Sequence, residues 1–171
     1  MGVRMLTGLV WVAAMAAGQG RAAAPPGNGF DLAMTPVLAE YLEIQVALAN
    51  DSFAGVRERG KRIVVLAKVL DPASAPAAAR ERYRDLPAKL GAAAAALVAA
   101  TDLAQARTAF KELSKPMALW GTAARPKGIT VAYCSMAPGS WLQQGTAIRN
   151  PYYGSAMLTC GEIVGGEGFG G

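Results

Sequence analysis

Two short sulfur motifs lie near the C-terminal end of the sequence, Cys134-x-Met136 and Met157-x-x-Cys160. They contain the only two cysteines of the 171 residues, and two of the four methionines that follow residue 24. Thiolate and thioether sulfur are soft ligands that favour Cu(I) or Ag(I) over magnesium, calcium or manganese. If the motifs meet in the fold, they predict a soft-metal site. Cys134 and Cys160 would anchor the ion as thiolates, and Met136 and Met157 would complete the ligand set.

The same cysteines also fit two other interpretations. An exported protein with two cysteines commonly carries one disulfide. A Cys134–Cys160 bond would close a loop of 27 residues, which is worth roughly 3.5 kcal/mol on the chain-entropy model. A redox-cycling pair is a third interpretation, although the chain has no C-x-x-C motif and no histidine to lower a thiol pKa. The residues alone leave the disulfide, the soft-metal site and the redox pair open.

Several classes of active site are excluded by composition. The chain has no histidine, so it has no Ser-His-Asp triad, no Cys-His pair and no H-E-x-x-H metalloprotease site. Two cysteines are too few for a Cys₄ zinc site in one chain. No pair of carboxylates stands in a recognisable arrangement for acid–base work. We therefore expect a protein that is not an enzyme.

The N-terminal 24 residues have the pattern of a secretory signal peptide. Arg4 gives the positive start, Met5–Ala17 is an uncharged and largely apolar stretch, and Ala22–Ala24 fits the cleavage rule. The apolar stretch is shorter than the roughly 20 residues of a membrane span. Cleavage removes two arginines and no acid, so the net charge falls from +5 to +3. These features predict a periplasmic protein with no membrane insertion after cleavage and no nucleic-acid partner.

Helical periodicity dominates the middle of the chain. After a linker at residues 25–33, apolar residues recur at spacings of three and four over 34–120. Pro87 either kinks the third helix or separates two helices. The four helical segments are about Met34–Ala49, Phe53–Leu70, Ala77–Ala100 and Leu103–Trp120. The sequence therefore predicts a mainly α fold, an up-down bundle of about four helices with a small C-terminal β-hairpin-like, loop-rich segment.

The C-terminal segment, residues 121–164, is predicted to pack on this bundle and to carry the sulfur motifs. Ile129–Tyr133 and Met157–Val164 are strand candidates, and their pairing would bring the motifs together. Trp141, Tyr152 and Tyr153 are interpreted as a hydrophobic plug that docks the segment on the helices, or else as a surface that binds a partner. Residues 165–171 contain five glycines and are expected to form a flexible tail.

The sequence also resembles a bacterial family of domains of unknown function. The residues that carry the resemblance are Tyr133-Cys134-Ser135-Met136-Ala137, Trp141-Leu142-Gln143, Ile148–Gly154, Met157–Glu162, and, in the helical part, Tyr41-Leu42, Leu48–Asp51 and Ala106–Ser114. Members of this family are small exported proteins or C-terminal extensions of CusB-type heavy-metal efflux adaptors. The family pattern has proline where this chain has Ser135, and often histidine where it has Tyr133. A metal site that draws on the latter position would lose a ligand here.

The resemblance implies a heavy-metal setting, with copper or silver as the metal and an efflux-system or other periplasmic protein as a partner. Together with the sulfur motifs it predicts a non-enzymatic periplasmic protein that binds or senses Cu(I) or Ag(I) through Cys134, Met136, Met157 and Cys160. The alternative is a structural or docking module with one Cys134–Cys160 disulfide. Its partner would bind at the surface between Trp141 and Gly154, which includes Tyr152 and Tyr153.

Overall fold

The structure is a computed structural model that describes residue 2 and residues 28–166. The predicted signal peptide at 1–24, apart from residue 2, and residues 167–171 of the predicted tail lie outside the described residues. The helices are α1 (Gly29–Ala49), α2 (Val56–Ala67), α3 (Ala77–Tyr83), α4 (Leu86–Ala99) and α5 (Leu103–Ala124), with short 3₁₀ turns at Pro72–Ser74 and Gly154–Met157. The strands are β1 (Ile129–Cys134), β2 (Gly139–Gln144) and β3 (Glu162–Gly166). The predicted class, mainly helical with a small β segment at the C-terminal end, is confirmed.

Helix α1 starts at Gly29, five residues before the predicted start at Met34. The Asn28 side chain caps it by accepting a backbone N–H of the first turn at 3.0 Å. Residues 29–33 of the predicted linker are therefore helical, and Phe30 is buried in the core. The Asn28 cap therefore begins the helix within a Gly- and Pro-rich stretch. Burial of the apolar residues that follow stabilises this first part of the helix.

Pro87 stands in the first turn of α4. The structure therefore has two helices, α3 and α4, in place of one kinked helix. Proline is tolerated in the first turn because the N–H groups there have no partner within the helix. Further along, Pro116 lies inside α5, which continues to Ala124. The bundle is made by α1, α2, α4 and α5, with α2 packed on α1 and α4, and α5 packed on α4 and α1.

The C-terminal segment is a three-stranded antiparallel sheet with the order β2-β1-β3. The structure differs here from the two-strand prediction. Gly139–Gln144 forms β2 directly after the Pro138 turn, and it pairs with the whole of β1. The last strand is Glu162–Gly166, so it starts five residues later than the predicted Met157 and includes the first two glycines of the predicted tail.

Aromatic rings join the sheet segment to the bundle. Tyr41 of α1 stacks on Phe110 of α5, with ring centroids 4.8 Å apart. Phe110 contacts Tyr152 at 6.4 Å, and Tyr152 meets Trp141 of β2 edge to face at 5.5 Å. These rings belong to one buried cluster that runs from the helices into the sheet. The sheet is therefore an integral part of the core.

Helix α1 is long and apolar enough to cross a membrane by length and composition, the one such helix among the described residues. A core helix passes the same test. Its buried residues include Phe30, Met34, Tyr41, Ile44 and Leu48. They face α2, α5 and β2, and this packing accounts for the apolar composition of the helix.

Candidate functional site

The two cysteines meet at the end of the sheet. Cys134 is the last residue of β1, and Cys160 lies two residues before β3, the strand that pairs beside it. Their Sγ atoms are 3.1 Å apart, and both thiols are free. Cys134 is fully buried, whereas Cys160 is half-buried. The structure therefore brings together the two cysteines of the predicted site, with one thiol inside and the other at the surface.

Their surroundings make the two thiols unequal. Burial raises the pKa of Cys134, but hydrogen bonds from the Cys160 thiol and from the backbone N–H groups of Ala137 and Met136 outweigh it, and the pKa is lowered from its ordinary value. The Ala137 N–H lies 3.4 Å from the sulfur. The hydrogen bond with Cys134 and partial burial raise the pKa of Cys160. Of the two thiols, Cys134 is therefore the one that ionises more readily.

The two predicted methionine ligands lie in different settings. Met136, in the β1–β2 turn, is 62% exposed, and its carbonyl oxygen accepts the Tyr153 hydroxyl at 3.0 Å. Met157 ends the second 3₁₀ turn, where it is half-buried and its carbonyl accepts the Cys160 N–H at 3.0 Å. The prediction that Met157 lies on a strand is wrong. Within residues 28–166 no three His, Cys, Asp or Glu side chains are grouped to hold a metal ion.

The three aromatic residues of the segment form the docking plug. Trp141 is fully buried and Tyr152 is 8% exposed, and the Tyr152 hydroxyl donates to the Ser140 carbonyl at 2.6 Å. Their burial corrects the expectation that these two rings form a partner-binding surface, because Trp141 is shielded from solvent and Tyr152 is nearly so. Tyr153 is half-buried and lies beside the exposed Met136.

Asn150 was not singled out in the sequence, yet it lies at the centre of the site. It is fully buried, and its side-chain amide donates to the Cys160 carbonyl at 2.8 Å. Its side-chain oxygen accepts the Tyr152 N–H at 2.8 Å, and the amide also helps to lower the pKa of the Cys134 thiol. Asn-Pro pairs are ordinary turn formers, so this pair indicates no more than a turn. A buried amide between two cysteines leaves no signal in a single sequence.

A clamp of charged and backbone groups fixes the same loop to the helices. Arg107 of α5 donates to the carbonyls of Pro151 at 3.1 Å and Leu48 at 2.9 Å, and it pairs with Asp51. Asp51 also accepts the Ser155 N–H at 3.0 Å. Hydrogen bonds from Ser155 and Arg107 lower the pKa of Asp51 to about 2. The loop that ends at Cys160 is therefore anchored on α5 and on the α1–α2 connection.

Gly161 allows the chain to pass close to the sheet just after Cys160. Its φ of +145° is a backbone conformation that other residues rarely adopt. A Cβ atom there would lie 2.8 Å from the Trp141 ring and 3.0 Å from the Tyr133 carbonyl oxygen. The close approach of Cys160 to Cys134 therefore depends on a residue without a side chain.

The geometry is that of a preformed dithiol. Disulfide formation needs the sulfurs to approach by about 1 Å, since the S–S bond is about 2.05 Å. A bridging metal with bonds of about 2.3 Å in tetrahedral geometry needs them to separate by about 0.7 Å. Both displacements are small, and the half-buried Cys160 is the thiol free to make them. The arrangement can hold a soft metal or close a disulfide.

Comparison with known proteins identifies the helical half of the chain. A family model described as Protein of unknown function (DUF3347) matches residues 37–127, slightly more than half of the chain. The match covers most of α1 and all of α2 to α5, and it ends just before β1, so neither cysteine lies within it. No curated protein and no solved structure matches the chain significantly.

Proposed function

The chain belongs to the DUF3347 family of proteins of unknown function, and we propose that this protein binds or senses a soft metal ion, Cu(I) or Ag(I), through its cysteine pair. The observation that carries the proposal is the pair of free thiols whose sulfur atoms lie 3.1 Å apart. Hydrogen bonds favour the thiolate form of the buried Cys134, and thiolate is the form that ligates metal.

The ligand set favours a soft monovalent ion over harder cations. Thiolates and thioethers select Cu(I), whereas magnesium, calcium and manganese prefer carboxylate and carbonyl oxygen. A chain without histidine offers no imidazole nitrogen, so a mixed zinc site of Cys and His is excluded. Binding would also displace the protons of the Cys134 and Cys160 thiols, so the affinity should rise with pH.

The methionines are proposed as auxiliary ligands of unequal weight. Met157 lies three residues before Cys160 on the anchored loop, and it is half-buried. Met136 lies two residues after Cys134 on the turn, and its side chain is exposed, so it can change rotamer without loss of packing. Met117 is fully buried in α5 and lies outside both motifs, so it offers a matched control.

An anaerobic Cu(I) titration against a chromophoric chelator tests the proposal. The native protein should compete for one Cu(I) per chain. The double variant Cys134→Ser, Cys160→Ser should lose the site, because hydroxyl oxygen is a poor ligand for Cu(I). Met136→Leu and Met157→Leu should each weaken binding by up to roughly tenfold, and Met117→Leu should leave it unchanged. Binding by the double serine variant that is as tight as native would refute the assignment.

A structural disulfide is the second candidate, and the same distance favours it. Sulfurs that are already 3.1 Å apart, on chain segments held by adjacent strands, need little movement to bond in an oxidising compartment. This candidate predicts no free thiol in protein isolated without reductant. It also predicts that reduction lowers the free energy of unfolding by up to about 3.5 kcal/mol. Two free thiols per chain in freshly isolated protein would contradict it.

The cellular setting is part of the proposal. The signal-peptide pattern of residues 1–24 supports export to the periplasm, and the sequence resemblance to extensions of CusB-type adaptors supports a role in heavy-metal efflux or resistance without enzymatic activity. The proposed partner is an efflux-system or other periplasmic protein. Intact mass of the protein from a periplasmic extract should correspond to a chain that starts after Ala22–Ala24. A strain that lacks the protein should become more sensitive to silver or copper, and unchanged tolerance of both metals would argue against this role.

A further inference from the structure

One buried side chain contacts both cysteines. Asn150 is fully buried, and an amide side chain has two N–H hydrogens and one carbonyl oxygen to satisfy. Its nitrogen donates to the Cys160 carbonyl at 2.8 Å and its oxygen accepts the Tyr152 N–H, while the amide also lies near enough to Cys134 to help lower the pKa of that thiol. The polar groups of this side chain are therefore used within the site.

The backbone of Asn150 holds the same loop. Its N–H donates to the Leu158 carbonyl at 2.7 Å, and its carbonyl accepts the Gly154 N–H at 3.1 Å. The ten residues 151–160 are therefore hydrogen-bonded to Asn150 at four points, Tyr152, Gly154, Leu158 and Cys160. Cys160 is partly open to solvent and has no partner strand of its own. The hydrogen bond to its carbonyl is what ties it to the buried side of the site.

We propose that Asn150 is a positioning residue that sets the separation of the Cys134 and Cys160 thiols by holding the Cys160 backbone against the buried start of the loop. This positioning makes the pair a preformed dithiol, in which the two sulfur atoms are already held close to each other. The expected effect of Asn150 on metal binding rests on the proposed function. Its effect on the separation of the thiols does not depend on that proposal.

The chemistry of the amide makes the inference specific to asparagine. Aspartate has nearly the same shape and keeps the oxygen that faces the Tyr152 N–H. It has no hydrogen to donate, however, and its charge would face the Cys134 sulfur and the Cys160 carbonyl, which are both acceptors. Asn150→Asp should therefore push Cys160 away from Cys134 with little change in packing. Asn150→Ala removes the same bonds without adding charge.

The test is the redox equilibrium of the dithiol with glutathione. In this reaction the protein dithiol and one glutathione disulfide give the protein disulfide and two reduced glutathione molecules, so that two electrons and two protons pass to glutathione. The equilibrium constant measures how closely the thiols are held. Asn150→Ala and Asn150→Asp should each lower the constant by at least tenfold, which corresponds to about 30 mV for a two-electron couple.

Gln45 provides the matched control. It is a buried amide of α1 whose side-chain nitrogen donates to the Arg149 carbonyl at 2.6 Å, one residue before Asn150. It anchors the same loop without contact to either cysteine, so Gln45→Ala should lower thermal stability and leave the glutathione constant within about twofold.

Three results would overturn the inference: folded Asn150 variants with a native constant, a control variant that shifts the constant equally, or Asn150 variants that both fail to fold while Gln45→Ala folds. The last result would make Asn150 a stabilising residue only. Cu(I) affinity, measured by chelator competition, should fall with the glutathione constant in both Asn150 variants. If the native protein binds no Cu(I), the proposed function fails, and the glutathione comparison still decides the role of Asn150.

Discussion

Replacement of Gly161 by alanine should separate the two thiols and destabilise the fold. Gly161 has a φ of +145° and follows Cys160 directly. The new methyl group would lie 3.0 Å from the Tyr133 carbonyl oxygen and 2.8 Å from the Trp141 ring. The carbonyl belongs to the central strand and the ring is fully buried. Since neither neighbour can yield at low cost, the loop that carries Cys160 must move.

The expected cost has two parts. A residue other than glycine in this backbone region is strained by about 1–3 kcal/mol. Overpacking against buried neighbours adds about 1–3 kcal/mol. Gly145 is a control for the strain alone. Its φ is +65°, so a side chain there is strained, but the space around its absent Cβ is open and nothing is overpacked. We therefore expect Gly161→Ala to lower the free energy of unfolding by roughly 2–6 kcal/mol, and Gly145→Ala by about 1–2 kcal/mol from backbone strain alone.

Urea unfolding of both variants under reducing conditions measures these costs. The glutathione equilibrium of the dithiol should also weaken in Gly161→Ala and stay near native in Gly145→Ala, because only the first substitution displaces Cys160. Equal losses of stability in the two variants would show that the contact with Tyr133 and Trp141 carries no energy. A native glutathione constant in Gly161→Ala would show that the separation of the thiols does not depend on this close approach.

Two further substitutions test how the segment is held on the bundle. Tyr41→Phe should cost about 1–3 kcal/mol in urea unfolding, because the buried Tyr41 hydroxyl accepts the Leu142 N–H at 3.1 Å; a cost near zero would mean that this N–H finds another partner. Asp51→Asn should destabilise the protein at neutral pH, since hydrogen bonds from Ser155 and Arg107 lower the carboxyl pKa to about 2. The difference from the native protein should be complete above about pH 4 and should shrink as the pH falls towards 2, so a difference that is independent of pH in thermal melts would contradict the role of the charge.

The helical half could be predicted from the sequence because its signals are local. Leu103, Phe110 and Trp120 repeat at helical spacing along α5, and all three pack in or against the core. Pro87 marked a boundary, and only its choice between a kink and two helices needed the structure. The repeat of apolar side chains along one helix can be recognised in a single sequence, because one face of the helix is buried along its whole length.

The sheet was harder to predict for a physical reason. Strand β2 contains Gly139, Ser140 and two glutamines, which are weak strand formers. It is held by pairing with β1 and by the burial of Trp141 and Leu142 against the helices. Tertiary contacts of this kind override local propensity, and they involve partners that lie far apart in sequence. The start of the last strand was misplaced for the same reason, because Met157 lies on a turn fixed by the loop.

The site was predictable in part. The meeting of Cys134 and Cys160 follows from the pairing of β1, which ends at Cys134, with β3, which begins two residues after Cys160, and the sequence indicated this pairing. The amide of Asn150 and the missing side chain of Gly161 could not be found, because each acts through a neighbour brought near by the fold. The exposure of Met136 is also a consequence of the turn geometry, and the spacing of the motif does not reveal it.

The match to the family ends at residue 127, yet the cysteine site depends on residues within the match. Arg107 and Asp51 hydrogen-bond to the loop that carries Cys160, and the Tyr41 hydroxyl accepts a backbone N–H of β2. These residues come from α5, the α1–α2 connection and α1, three parts of the helical half. Because these side chains of the helical half fix the C-terminal segment, the helical half and that segment form one cooperative unit. The bundle therefore acts as the rigid support that holds the two thiols close together. Substitutions that change its packing should change the distance between the sulfur atoms.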